Sequence, residues 1–105
     1  MSAPGEHLVE LVARAVREHP AVARLDGGPD GTVVSELPGG RVLGVRADEP
    51  GHRVRIAVVV RWGHPLPQVV DELRERVRAL AGRVPVDVTI SGVAAPVDET
   101  DGTLS

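Results

Sequence analysis

The side chains that could do chemistry in this sequence are four histidines, scattered carboxylates, two interior serines and arginine; cysteine and lysine are absent. Metal binding asks for ligands at short, face-sharing spacings, such as i,i+4 on a helix. His7, His19, His52 and His64 show no such spacing, which predicts solvated or turn residues. His64, held between Gly63 and Pro65, is expected to do no more than occupy a turn. Asp26 and Asp30 sit among glycines in the run DGGPDG. The offsets and the closing bidentate glutamate of a calcium loop are missing, so turn chemistry accounts for that run. Ser35 and Ser91 stand in no nucleophile-elbow context. The pairs Gly27-Gly28 and Gly39-Gly40 form neither GxGxxG nor a phosphate loop, and no lysine is available to reach a phosphate. Asp71, Glu72 and Glu75 crowd one stretch, but a charged helix face explains them and places them in solvent. No catalytic constellation, cofactor motif or metal site emerges, and the chain is expected not to be an enzyme.

Arginine leaves one hint. Arg53, Arg55 and Arg61 fall on one face of an alternating stretch, and Arg41 or Arg46 can join them in a positive patch. The chain as a whole carries a formal charge of −3 with a pI near 5.7, which argues against a mainly electrostatic nucleic-acid binder. RNA-binding sheets also stack bases on exposed aromatic rings. Trp62 is the only aromatic residue here and is expected on the opposite, buried face. The arginines are therefore expected to pair with Asp87 or to be solvated. Ala57 and Val59, at the centre of that face, make it an alternative docking surface for a protein. The exclusive use of arginine, with abundant Ala, Val, Gly and Pro, reads as the coding bias of a GC-rich genome.

These residues must be positioned by a small framework. A chain of 105 residues, 42% hydrophobic, is one domain with a single modest core of Val, Leu, Ile and Ala. Aliphatic cores of this kind leave room for self-association as a supplement to stability. The start, MSAPGEH, lacks the pattern of a signal peptide, and the longest apolar run, Ile56 to Val60, is too short to span a bilayer. The absence of cysteine suits a cytoplasmic protein.

Apolar residues at 8, 9, 11, 12, 15 and 16 recur at helical spacing, and Pro20 ends that helix. Val22 and Leu25 are expected to be buried as the chain leaves it. Turn residues follow to Gly31, then a short edge strand over 32–35, a Pro38-Gly39-Gly40 turn and a strand over 41–47 with Leu43 and Val45 facing one way. Asp48 to Gly51 is a turn. Arg53 to Trp62 is the strongest strand, with Val54, Ile56, Val58, Val60 and Trp62 on its apolar face. A helix starts near Leu66 or Pro67, buries Val69, Val70, Leu73, Val77 and Leu80, and is capped by Gly82. A last strand alternates Val84, Val86, Val88 and Ile90 with Pro85, Asp87, Thr89 and Ser91. The fold class expected is α+β: two layers, a small antiparallel or mixed sheet with helices on one face and an open polar face on the other.

The run from Val54 to Gly63 (VRIAVVVRWG), followed by Leu66-Pro67, the helix through Val77 and Leu80, Gly82 and Val86 to Ile90 (VDVTI), resembles the alkaline-shock, or envelope stress response, family of small bacterial proteins. Upstream, Leu11 to Val16 and Ala21 to Leu25 are similar to that family's first helix and its exit. The likeness covers roughly residues 6–93. Its most specific part is the aromatic-Gly-x-x-aliphatic-Pro junction, in which Trp62, Gly63, Pro65 and Pro67 are structural. Departures are Ala21 where the family commonly has glycine, Trp62 for the more usual tyrosine, and Ala81-Gly82-Arg83 for a Thr-Gly-aliphatic turn. The resemblance implies a non-enzymatic stress-response protein that forms homo-oligomers. It also implies association with the inner face of the membrane through a membrane-anchored protein partner, without direct insertion. Composition makes residues 1–5 a flexible start and 94–105 a disordered acidic tail, which leaves one domain over 6–93. The alternative is a small RNA-binding module that uses the arginine-bearing sheet face.

Overall fold

The computed structural model describes residues 4–48 and 52–95. In chain order these form α1 (Pro4–Arg17), β1 (Val22–Leu25), β2 (Val34–Leu37), β3 (Gly40–Leu43), β4 (Val45–Ala47), β5 (Val54–Arg61), α2 (Leu66–Ala81) and β6 (Val86–Ala94). The class is α+β as expected, with α1 and α2 packed together on one face of a small mixed sheet.

β5 organises everything else. Its β-branched residues alternate as a strand between two layers requires. Val54, Ile56, Val58 and Val60 face the helices and pack with Val9, Val12 and Val16 of α1 and Val69, Leu73 and Val77 of α2. One edge of β5 carries two short antiparallel strands end to end: β1 opposite Val58–Val60 and β4 opposite Val54–Ile56. Between them the Ala57 N–H donates to Gly44 O, and its carbonyl accepts from Asp26 N–H, each at 3.0 Å. The chain thus leaves this edge at Asp26 and returns at Gly44, and the excursion is the β2–β3 hairpin around Pro38 and Gly39. The other edge of β5 carries β6 in parallel, so β5, α2 and β6 make a βαβ unit.

Three local expectations change. The stretch 41–47 is not one strand, because Gly44 takes φ +88° and a Cβ there would lie 2.6 Å from Leu25 Cβ. That kink separates β3 from β4, so Leu43 is exposed while Val45 is fully buried, rather than both facing one way. The edge strand expected over 32–35 runs instead over Val34–Leu37, and Val33, just before it, is buried. Val22 to Leu25, expected only as a buried exit, is a strand: four residues carry too short a pattern to show period two, and pairing with β5 decides it. A register irregularity in β1 and another in β6 at Ser91 absorb the mismatch with β5.

α2 begins at Leu66, with Pro65 and Pro67 in positions where the missing donor is harmless, and Gly82 N–H closes it on Arg78 O at 2.9 Å. Val69, Leu73 and Val77 are buried as expected; Val70 is half-buried and Leu80 is exposed. Residues 1–3 of the expected flexible start lie outside the described residues, whereas α1 begins at Pro4. Of the expected turn at 48–51 only Asp48 is described, its N–H bonded to Arg53 O. Of the expected acidic tail, 96–105 lie outside, and Ala94 closes β6.

Candidate interaction surfaces

The sheet face turned away from the helices brings together the expected charged residues. Arg55 of β5 lies in register with Arg46 of β4 and with Asp87 of β6. Arg53 Nε pairs with Asp87 at 3.4 Å, Arg46 Nε with Asp48 at 3.5 Å, and Arg55 reaches Asp48 at 4.0 Å. Arg46 Nη1 also donates to Thr32 O at 3.1 Å, strapping the loop after β1 to the sheet. Arg41 is elsewhere, paired with Glu36 across the hairpin. Arg24 joins this face opposite Val59, and Arg61 ends it. Such exposed pairs contribute at most about 1 kcal/mol each. Their effect is to occupy guanidinium groups that a phosphate backbone would need.

The centre of this face is not the docking patch expected. Ala57 is 0% and Val59 6% exposed. The loop of residues 26–33 folds over Ala57: Gly28, at φ +84°, comes so close that a Cβ there would stand 3.9 Å from Ala57 Cβ and 3.1 Å from Val33 Cγ2. Asp26 Oδ2 accepts the Gly28 N–H at 2.9 Å, so this run works as turn chemistry.

The turn after β5 departs furthest from expectation. Trp62, assigned to the buried face, is 65% exposed. The strand alternation stops at Arg61, and Gly63 at φ +98° swings the chain toward α2. The Trp62 N–H donates to Ala94 O at 2.9 Å, tying the turn to the end of β6. Val69 N–H to Pro65 O then opens α2. Leu66 and Val93, beside this junction in the chain and the ladder, are 37% and 45% exposed. Gly63, Pro65 and Pro67 shape the turn, and Trp62 is presented by it.

His19 was expected in solvent and is instead the one buried polar or charged residue among those described. Its Nδ1 accepts the Ala21 N–H at 3.0 Å, so the ring proton sits on Nε2, which donates to Glu72 Oε1 at 2.7 Å. Glu72, also expected free in solvent, is held below its ordinary carboxylate pKa by that bond first and by the Gln68 side chain second, with burial opposing. One turn on, Arg76 Nη1 donates to Ala15 O at 3.1 Å. The α1 stripe contained the signal for this latch: Val9, Val12 and Val16 step by three and four, and the next step is His19. His7, His52 and His64 are exposed, and no group of metal-holding size forms among the described residues. No helix among them is long and apolar enough to cross a membrane.

Compared with known proteins, the chain matches no family model, no curated protein and no solved structure.

Proposed function

We propose that this chain is a non-enzymatic docking module of the alkaline-shock, envelope-stress kind, which self-associates and binds a membrane-anchored protein partner from the cytoplasmic side. The observation that carries the reading is Trp62. The sole aromatic ring of the chain is spent outside a core that lacks any other, at the end of the sheet beside exposed Leu66 and Val93. Tryptophan so placed is the side chain most enriched at the energetic centres of protein interfaces. The sequence likeness through the Trp62–Pro67 junction supplies the class of partner.

The RNA-binding alternative has less to support it. Arg46, Arg53 and Arg55 have carboxylate partners in Asp48 and Asp87, and Trp62 lies in the turn beyond β5 rather than on the open face.

Affinity recovery of the tagged full chain from detergent-solubilised membranes tests the proposal. A membrane protein should co-purify in stoichiometric amount and be lost with Trp62→Ala. Recovery of the chain alone, as a monomer, would count against it.

A further inference from the structure

The free edge of β6 carries a more specific inference, which rests on the self-associating reading above. β6 pairs with β5 on one side, and no described strand pairs with the other. The parallel ladder starts with Val54 N–H donating to Pro85 O, so it uses the backbone groups of Pro85, Asp87 and Thr89. Those of Val86, Val88 and Ile90 point outward.

α2 guards only the beginning of this edge. Arg78 Nε donates to Val84 O at 3.4 Å and Arg74 Nε to Val86 O at 3.2 Å. One and two turns before Arg74 the same flank of α2 carries Val70 and Leu66, which cannot donate. Among the described residues nothing therefore meets the outward groups of Val88 and Ile90, which are bordered by half-buried Val70, Val88 and Ile90 and by exposed Leu66. The strand also lacks the lysine or proline with which natural edges discourage pairing, and only the irregularity at Ser91 interrupts it.

We infer that this edge pairs antiparallel with β6 of a second copy, about a two-fold axis at Thr89. In that register Val88 and Ile90 exchange hydrogen bonds with Ile90 and Val88 of the second copy, which satisfies the groups Arg74 and Arg78 leave bare. Apolar meets apolar on the helix side, Thr89 meets Thr89, and Asp87 falls opposite Ser91, so no carboxylate faces another. A two-fold at Val88 would instead draw on Val86 O, which already holds Arg74. The self-complementary pattern is what selects a second copy over an unrelated strand.

The chain contains no cysteine, so a single introduced thiol reports only on contacts between copies. At a non-hydrogen-bonded antiparallel pair the Cα atoms stand about 4.5 Å apart, within disulfide reach. On mild oxidation Thr89→Cys should form a covalent dimer at least tenfold faster than Asp87→Cys, and sedimentation should show the wild-type chain as a dimer. A wild-type dimer in which Thr89→Cys crosslinks no faster than Asp87→Cys overturns the β6 pairing and leaves self-association standing. A wild-type chain that sediments as a monomer at every concentration overturns both.

Discussion

The two flanks of α2 meet very different surroundings. Toward α1, Glu72 takes the buried His19 ring and Arg76 takes Ala15 O, so every polar group that crosses the seam has a named partner. Toward β6, Arg74 and Arg78 reach two carbonyls, and beyond them Val70 and Leu66 look onto a strand edge with no described strand beside it. One helix thus closes the fold on one side and leaves it unfinished on the other. Stability should reside on the first flank and association on the second, and substitutions can separate them.

The largest effect belongs to the core that both flanks share. Leu73→Ala, at a fully buried position between the helices and β5, should destabilise by about 3 kcal/mol in urea unfolding. A loss well under that would mean the helices pack less tightly on the sheet than described.

Next comes the closed flank. His19→Ala strands the Ala21 N–H in a buried setting and frees Glu72, and should cost about 2 kcal/mol while leaving association unchanged. Its pH signature has a definite sign. Glu72 has a folded-state pKa below its ordinary 4.5, so its contribution is complete above that value and is lost as pH falls through the depressed one. Glu72→Gln should flatten the acid limb of the stability profile in that window, and an unchanged profile would remove the latch from the account.

On the open side the pattern should invert. Trp62→Ala should alter unfolding stability by no more than about 0.5 kcal/mol, because the ring is mostly in solvent, yet it should weaken partner binding more than tenfold. Smallest of all, Arg53→Ala removes one exposed pair with Asp87 and should change stability by only about 0.3 kcal/mol, measured by the same unfolding.

The sequence was most legible where pattern was long. β5 and α2 follow from their periods, and alternation puts Asp87 on the same face as the strand arginines, while the register that selects Arg53 is set only by the pairing of β5 with β6. It was least legible where partners far along the chain decide. β1 is a strand because β5 lies beside it, and Ala57 is buried because the 26–33 loop crosses it. Period two extends through Trp62 in the sequence, but β5 ends at Arg61 and the positive φ of Gly63 turns the chain, so the ring leaves the core. For His19 the opposite holds: Pro20 ends the helix, yet the next step of its buried stripe falls on His19, whose ring can be buried only because Glu72 meets it from α2.

The central claim, that the β6 flank is an association edge, is tested most directly by residue-resolved amide exchange at rising protein concentration. The Asp87 and Thr89 amides lie in the ladder with β5 and should be protected throughout, whereas those of Val88 and Ile90 should slow markedly as the chain associates. Exchange at Val88 and Ile90 that stays fast and independent of concentration while the chain associates would contradict the account.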